Sequence, residues 1–442
     1  MRILQLTPGT GTFLCGSCLR DNDLVKRLAA LGHDTLIAPL YLPFALEGEA
    51  SPEVHGQAVH MGGINVYLQQ VLPWLRWLPR FLHDRLDSPR LLRWAAGRSK
   101  MTEAPGLGAL TLSMLRGEEG RQHSELARLV GWLRELPRPD VVILSNAMLV
   151  GLAREIRAAL GCPVLCTLQG EAPFLDALDE PFAAQCWEAL AERAQEIDAF
   201  LPVSHYTAKL MGERMGIEPE RLHVVWNGID GSAFEPRAES AAGPPTIGYL
   251  ARMCRDKGID RLFEAYLWVQ ERLPEVRLVA AGVVLPEDRA LLEELRRRAR
   301  AAGLEDRVEL RGPISRDEKH ELLPTLDVFS VPAMYGESFG LYLLEAWASG
   351  VPVVQPDHGA FPELLANTEG GLLCANVEPD VLGAALLSLL EDGGRARSMG
   401  AAGRRSVLER FDGVNMARAV EQVCRLTAQN RTPTSRPSLD DS

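Results

Sequence analysis

The 442-residue sequence predicts an α/β protein with two doubly wound domains, on two observations. Short apolar runs alternate with helix-length segments through most of the chain, which is the pattern of parallel sheets covered by helices. This alternation stops at residues 236–245, which are rich in Ala, Gly, Ser and Pro, and then resumes with a different sequence. We therefore expect a first domain over 1–235, a linker over 236–245 and a second domain over 246–412.

Composition and charge exclude several classes of protein. The formal net charge of -12 argues against nucleic acid as a partner, because that partner requires a basic field. No apolar run approaches the ~18 residues that a membrane span needs, and Met1 leads directly into a strand-like segment. The eight cysteines are scattered along a long chain, which favours reduced thiols over a disulfide framework. We expect a cytoplasmic protein.

The first domain begins with a strand over Ile3–Pro8, followed by a glycine-containing loop and a helix. Gly9 and Gly11 fit the dinucleotide-binding fingerprint, but Leu14 occupies the third glycine position and Gly16 comes too late. The loop still lies at the carboxyl end of a strand, where doubly wound folds bind ligands. Later strands of this domain are expected at Asp34–Leu40, Val141–Ser145, Val164–Thr167, Phe200–Ser204 and Val224–Trp226.

Residues from about 41 to 114 interrupt the alternation and are interpreted as an inserted, mostly helical segment. Within it, residues 71–100 interleave tryptophans with arginines, although the protein as a whole is acidic. Such a segment suits peripheral contact with an anionic membrane at its inner face. The alternative is packing on the parent domain with solvated arginines, which we favour slightly because Pro73, Pro79 and Pro89 interrupt any long helix.

The second domain repeats the architecture and is followed by helices that close the chain. Its strands are expected at Thr246–Leu250, Val276–Ala281, Val308–Leu310, Asp327–Val331, Val351–Val354 and Gly371–Cys374. Two further helices are expected, at Pro379–Glu391 and Gly413–Leu426. We expect the last of these, residues 413–428, to pack back on the first domain. The remaining residues, 429–442, have the composition of a disordered tail.

The loop and helix after the fourth strand of the second domain contain two informative carboxylates. The helix is apolar on nearly all sides except at Glu345, so this side chain needs either a structural Arg or Lys partner or a polar ligand. Ser338, Phe339 and Gly340 open the helix with backbone N–H groups that can bind an anion. Glu337 precedes that opening. The segment therefore combines an anion site with two carboxylates.

The loop after the first strand of the second domain supplies cations. Arg252 and Lys257 follow the strand Thr246–Leu250, at the edge of a parallel sheet where the Glu337 loop is also expected. Two cations next to a helix N-terminus can offset the charge of a diphosphate and stabilise it as a leaving group. The sequence therefore predicts a diphosphate site.

These elements resemble glycosyltransferase family 4, retaining enzymes with two Rossmann-like domains facing across a cleft, the GT-B fold. The matching motifs are R-x4-K-G (Arg252, Lys257, Gly258), E-x7-E (Glu337, Glu345), Asn-Gly-Ile-Asp at 227–230 and Gly-Ala-Phe-Pro-Glu-Leu at 359–364. They cover most of the second domain, whereas the first domain resembles the family only in outline.

The resemblance implies roles for these residues. Arg252 and Lys257 would hold the donor diphosphate, and Glu345 would accept hydrogen bonds from ribose hydroxyls. Glu337 would lie by the donor sugar as a catalytic candidate. Backbone around Gly312 would frame the base, and the sugar would lie near Gly359.

Two features of the first domain are less typical of the family. Gly16 belongs to a loop that would face the diphosphate across the cleft. Many family members carry a His-Asp pair after the strand that here ends at Thr167, but this chain has Gln169-Gly170-Glu171. Gln169 or Glu171 is therefore expected to contact the donor sugar or the acceptor instead.

The resemblance implies a retaining hexosyltransferase that needs no cofactor and no metal. It would move a sugar from a nucleotide-diphosphate-sugar to a hydroxyl of a glycan or lipid-linked, cell-envelope acceptor. Two alternatives stay open: a GT-B nucleotide-sugar epimerase or hydrolase, and a non-catalytic nucleotide-sugar-binding protein. The intact Arg252, Lys257, Glu337 and Glu345 argue against the last.

Overall fold

The protein forms two compact units in a computed structural model, which describes residues 1–9, 16–41, 107–237 and 243–430. Of these described residues, the first unit contains those up to Val203, Thr207–Val225 and Met416–Asn430. The second contains Ser204–Tyr206 and Trp226–Asn415. Residues 71–100, for which either membrane contact or packing on the first domain was expected, lie outside the described residues. No helix in the described part of the chain is long and apolar enough to cross a membrane.

The first unit is built on a five-stranded parallel sheet. Its strands are β1 (Arg2–Thr7), β2 (Asp34–Pro39), β3 (Val141–Leu144), β4 (Val164–Leu168) and β5 (Ala199–Pro202). They lie in the order β2-β1-β3-β4-β5, with Gln5 opposite both Ile37 and Ile143. Its helices are Gly16–Ala30, Gly108–Leu115, His123–Glu135, Ala153–Leu160, Ala172–Asp176, Phe182–Arg193 and His205–Met215, together with the final helix Gly413–Asn430.

The two faces of this sheet are covered by different parts of the chain. Successive residues of β1 alternate between the faces, so Leu4 and Ile3 belong to separate apolar clusters. Leu4 packs with the helices between residues 108 and 215. Ile3 packs with helix Gly16–Ala30 and with Met416 and Val420 of the final helix. The end of the chain thus completes the core of the first unit.

The second unit is built on a six-stranded parallel sheet. Its strands are β6 (Thr246–Leu250), β7 (Arg277–Ala281), β8 (Val308–Arg311), β9 (Val328–Phe329), β10 (Val353–Pro356) and β11 (Gly371–Cys374). The order β11-β10-β9-β6-β7-β8 places β6 beside β9, where the direction of strand addition reverses. Its helices are Ile259–Gln270, Arg289–Ala301, Arg316–Leu322, Leu341–Ala348, Phe361–Thr368, Pro379–Glu391 and Gly393–Glu409. The predicted pair of doubly wound α/β domains is confirmed.

The compact units and helices differ from three of the expected boundaries, each for a physical reason. The insertion was expected to run to residue 114, but helix Gly108–Leu115 buries Leu112 and Leu115 in the core of the first unit. The first domain was expected to end at residue 235, whereas the first unit ends at Val225. The segment after Val225 belongs to the second unit, because the backbone of Ile229 bonds to that of Phe411 and Gly413. The tail was expected from residue 429, but the final helix runs to Asn430.

Two secondary-structure predictions also need correction. Residues 224–226 do not form a strand; they run extended beside β5, where the N–H of Val225 donates to Pro202 O at 2.9 Å. The helix Gly393–Glu409 was not predicted, because its glycines and charges weaken the helical pattern. Its glycines have a packing role, since a side chain at Gly400 would collide with Gly350 O.

Candidate functional site

The predicted site residues of the second unit follow the carboxyl ends of its parallel strands. Arg252 and Lys257 come after β6, and Glu337 comes after the neighbouring β9. Gly312 directly follows β8, and Gly359 lies three residues after β10. Because β6 and β9 are adjacent where the strand order reverses, their loops border the crevice in which open α/β sheets bind ligands.

Lys257, Glu337 and Tyr342 form a hydrogen-bonded cluster in these loops and the helix that follows β9. Lys257 Nζ donates to Glu337 Oε2, and the hydroxyl of Tyr342 donates to the same oxygen at 2.9 Å. Glu337 is buried, with 8% of its surface exposed. The Lys257 ammonium also lies 5.0 Å from the ring centroid of Tyr335 and 5.6 Å from that of Tyr342. These aromatic faces stabilise the partly buried cation.

Electrostatics fix the protonation states of this cluster. Burial alone would lower the pKa of the Lys257 ammonium, but Glu337 more than offsets this effect and the net shift is upward. Burial raises the pKa of the Tyr342 phenol well above its ordinary value, and the charge of Glu337 raises it further. Burial and Glu337 also raise the pKa of Tyr335. Lys257 therefore stays charged, and both phenols stay protonated, across the physiological pH range.

Two glycines allow the backbone to close around Glu337. Gly359 has a φ of 63°, and a Cβ there would lie 2.6 Å from Glu337 N. Gly340 has a φ of 86° and precedes helix Leu341–Ala348. Both positions need the left-handed conformation that glycine adopts without strain. The loop after β10 is consequently held against the loop that carries Glu337.

The residues predicted to open this helix make distinct contacts. The carbonyl oxygen of Ser338 accepts a hydrogen bond from Ser204 Oγ at 2.7 Å. Phe339 is buried, with its ring centroid 6.2 Å from that of Phe411. The first N–H groups of helix Leu341–Ala348 have no intrahelical acceptor, so the opening retains the polarity that binds anions.

Arg252 and Glu345 each have a partner from elsewhere in the second unit. Arg252 donates to Asp288 Oδ2 at 2.9 Å and to Glu287 Oε1 at 2.8 Å, both in the 3-10 turn after β7. Lys319 Nζ donates to Glu345 Oε1 at 2.5 Å. The sequence left open whether Glu345 pairs with a structural Arg or Lys or with a polar ligand, and in the structure its partner is a lysine. Glu345 itself is half-buried, because the edge of its otherwise buried helix remains accessible.

In the first unit, Glu171 links the loops after β3 and β4. Its carboxylate accepts N–H bonds from Ala147 at 3.0 Å, Gln169 at 3.0 Å and Gly170 at 2.9 Å. Burial raises the pKa of Glu171, while these backbone donors act in the opposite direction. The Gln169 amide donates to Ser145 O at 2.6 Å. These contacts favour a structural role for Glu171, and the catalytic assignments of Glu171 and Gln169 stay predictions.

The remaining predicted residue of the first unit is Gly16, which is exposed and begins helix Gly16–Ala30. The loop before it lies outside the described residues. Close to this helix start, Asp21 is fully buried, pairs with Arg20 at 3.0 Å and accepts a hydrogen bond from Ser145. The sequence did not predict this network, because adjacent charged residues in a helix are usually exposed to solvent.

Other polar residues of the second unit were also missed. Tyr342, Lys319 and Asp288 lie in ordinary helical or turn sequence, without a spacing that marks them. Glu363 lies in the motif Gly-Ala-Phe-Pro-Glu-Leu at 359–364, which was identified as a family resemblance without a role for this residue. It accepts hydrogen bonds from His205 N at 2.9 Å and from the Trp226 indole at 2.6 Å. Among the described residues, no group of three or more His, Cys, Asp or Glu is placed to hold a metal ion.

Two protein families and several named proteins are similar to this chain. Residues 232–406 match the family described as Glycosyl transferases group 1, and residues 107–232 match Glycosyltransferase Family 4. A D-inositol 3-phosphate glycosyltransferase of Xylanimonas cellulosilytica is 31% identical over 338 residues, 70% of this chain and 74% of the relative. An MMP alpha-(1->4)-mannosyltransferase of Mycolicibacterium hassiacum is 27% identical over 435 residues, 94% of this chain and 96% of the relative.

The fold is similar to that of solved glycosyltransferase structures. The crystal structure of Anabaena HepE in complex with UDP and glucose matches with a TM-score of 0.67 and 17% identity, covering 96% of this chain and 100% of that one. Two α/β units, each built on a parallel sheet, together with these similarities indicate a glycosyltransferase of the GT-B fold. The chain belongs to glycosyltransferase family 4.

Proposed function

We propose that this protein is a retaining, metal-independent hexosyltransferase that uses a nucleotide-diphosphate-sugar donor. The acceptor is a hydroxyl group of a glycan or of a lipid-linked, cell-envelope glycoconjugate. The observation that carries the proposal is the pair between the partly buried Lys257 and the buried Glu337, in the loops after β6 and β9. Removing charges from water is costly, and this pair lies where doubly wound folds bind nucleotides.

The cations of the second unit suit a diphosphate leaving group. Lys257 is a protonated ammonium with three donors, and its partners are Glu337 and Tyr335, so one donor remains for a phosphate oxygen. Arg252 follows the same strand and is 40% exposed, which leaves its guanidinium accessible. The N-terminus of helix Leu341–Ala348 adds backbone N–H groups. Two cations and a helix N-terminus can offset the diphosphate charge without a metal ion.

Glu337 and Glu345 can accept hydrogen bonds from the uncharged parts of the donor, the sugar and the ribose. Glu337 lies next to Lys257, so a sugar attached to a diphosphate at Lys257 would lie within reach of its carboxylate. Glu345 is half-buried and held by Lys319, which leaves it able to accept hydrogen bonds from ribose hydroxyls. In this proposal the acceptor attacks from the face that the diphosphate leaves, and a leaving phosphate oxygen takes the acceptor proton.

Two alternatives use the same diphosphate site. An epimerase or hydrolase would bind the donor but transfer no sugar to an added hydroxyl compound. A non-catalytic protein would bind the donor and leave it intact. Both relatives described above are glycosyltransferases by name, and HepE was crystallised with UDP and glucose. Those names favour transfer from a nucleotide-sugar.

A thermal-shift panel of UDP-, GDP- and ADP-sugars tests the donor class. A ligand that binds only the folded state raises its melting temperature, so one nucleotide series should stabilise the wild-type protein. We expect Lys257→Ala to lose most of that shift, whereas Lys209→Ala, which removes an exposed lysine, should keep it. The stabilising donor is then incubated with candidate acceptors, with and without a chelator, and the products are separated by mass.

The outcomes of this panel separate the candidates. A glycosylated product formed in the presence of chelator supports metal-independent transfer. Free sugar or an epimerised donor, without glycosylated product, would favour the epimerase or hydrolase. Binding without any chemical change would favour the non-catalytic protein, and equal shifts in wild type and Lys257→Ala would remove Lys257 from the site.

The acidic partners of Arg252 should limit donor affinity. Glu287 and Asp288 hold the guanidinium, so a diphosphate must compete with them for the same donors. We expect the double variant Glu287→Gln/Asp288→Asn to bind nucleoside diphosphate several-fold more tightly in calorimetry, since partly exposed charge pairs contribute about 0.2–1 kcal/mol each. Glu293→Gln removes an exposed glutamate of the following helix and should change nothing. Weaker binding by the double variant would show that the pair orients Arg252 for the donor.

A further inference from the structure

The geometry points to Tyr342 as a positioning residue for the sugar of the donor. We propose that its hydroxyl fixes the Glu337 carboxylate so that Oε2 faces the protein and Oε1 faces a hydroxyl of the transferred sugar. This inference rests on the proposed function, because it assigns a role within that donor site. It makes Tyr342 a determinant of which sugar hydroxyl the enzyme recognises.

The two oxygens of Glu337 have different surroundings. Lys257 and Tyr342 both donate to Oε2. Among the described residues, no protein donor forms a hydrogen bond with Oε1. A carboxylate oxygen has two lone-pair sites, so Oε2 is saturated by these two donors while Oε1 keeps its full capacity. A sugar hydroxyl is a donor of the kind that Oε1 can accept.

The Tyr342 ring is itself held in place. It packs against Phe329 of β9, with ring centroids 6.2 Å apart and an interplanar angle of 41°. On another side the ring lies over Gly340, where a Cβ would approach its Cζ to 3.2 Å. Glycine at this position therefore makes room for the ring. Packing on both sides therefore fixes the ring, and with it the position of the hydroxyl that donates to Glu337.

Both donors to Oε2 are needed to orient the carboxylate. Lys257 alone is a point charge on a flexible stem and leaves the carboxylate free to rotate about its terminal bond. The phenol donates a second hydrogen bond from a different direction, which restricts that rotation. Its raised pKa keeps the phenol protonated, and therefore a donor, throughout the working pH range. Small misplacements of a contacting group by about 1 Å can reduce an enzymatic rate by about 10²-fold. We therefore expect the hydroxyl of Tyr342 to affect sugar recognition more than nucleotide binding.

Comparing Tyr342→Phe with Tyr266→Phe tests this assignment. Tyr266 serves as the control, because it is a fully buried tyrosine of the same unit whose hydroxyl donates to Val276 O at 3.4 Å. For Tyr342→Phe we expect about a tenfold higher KM for the nucleotide-sugar, as lost hydrogen bonds to charged groups predict. The Kd for the nucleoside diphosphate alone should stay within about twofold, and Tyr266→Phe should match wild type in both measurements.

A series of singly deoxygenated donor sugars identifies the hydroxyl. At one ring position, wild type should bind the deoxy donor about tenfold less tightly than the parent sugar, whereas Tyr342→Phe should discriminate little there. The inference is overturned if Tyr342→Phe discriminates at every position as wild type does. It is also overturned if binding of the nucleoside diphosphate falls as much as binding of the nucleotide-sugar, since Tyr342 would then act on the fold or on Lys257.

Melting temperatures without ligand separate this inference from the proposed function. If Tyr342 and Glu337 interact, the shifts caused by Tyr342→Phe and Glu337→Leu should not add in the double variant. Additive shifts would overturn the positioning role while leaving the donor site intact. Wild-type protein that binds none of the nucleotide-sugars would overturn the proposed function, and with it the role in sugar recognition, even if the two shifts were non-additive.

Discussion

Lys257→Met is expected to lower kcat/KM for sugar transfer by about 10²–10³-fold, the usual effect of removing one group that stabilises charge in a transition state. The ammonium is a partly buried cation and bonds to Glu337. Methionine keeps much of the apolar stem but cannot stabilise a departing diphosphate. Initial rates of transfer at saturating acceptor, measured over a range of donor concentrations, give the change.

The control for this variant is Lys209→Met, which changes an exposed lysine in the same way. Its kcat/KM should equal that of wild type. Circular dichroism should show that Lys257→Met remains folded, although Glu337 loses its cation. Transfer within about threefold of wild type by folded Lys257→Met would contradict a role for Lys257 in the chemical step.

Trp347→Ala is expected to reduce the free energy of unfolding by about 3–5 kcal/mol, as large-to-small substitutions of buried aromatic residues do. Trp347 is fully buried in helix Leu341–Ala348, and its indole donates to Gly370 O at 2.8 Å. Its ring also packs against Gly403 of helix Gly393–Glu409. Urea unfolding followed by circular dichroism measures the loss.

A graded variant separates packing from hydrogen bonding at this position. Trp347→Phe keeps much of the ring volume and removes the indole donor, while Gly370 O keeps its hydrogen bond from Val353 N at 3.0 Å. The lost hydrogen bond should therefore cost only about 0.5–1.5 kcal/mol. Equal losses for the two variants would mean that the hydrogen bond dominates. A loss below about 1 kcal/mol for Trp347→Ala would contradict the buried packing, because cavities of this size are destabilising.

The fold was predictable where local sequence and tertiary packing agree. Strands β6 and β11 and helix Pro379–Glu391 occupy the predicted residues, since their apolar runs and flanking residues mark both ends. Helix Gly393–Glu409 could not be predicted in the same way. Its glycines disfavour a helix locally, and they are accommodated only because Gly400 lies against the backbone of Gly350, which is distant in the sequence.

The candidate site was predictable in its location but not in its contacts. The carboxyl ends of parallel strands meet at one edge, so Lys257 and Glu337 could be placed together from the alternation of strands and helices alone. The partners of Arg252 and Glu345 depend on loops and helices whose approach no local pattern specifies. The contact between Tyr342 and Glu337 depends on how the chain turns at Gly340, which the sequence does not specify.

The final helix imposes an order on the synthesis of this protein. Val420 and Cys424 cover apolar side chains of β1 and helix Gly16–Ala30, yet the ribosome adds them only after the whole second unit. Domains near the N-terminus usually fold first during translation, but here one face of the first sheet must wait for the last helix. Until that helix emerges, the nascent chain presents an uncovered apolar surface on which chaperones can act.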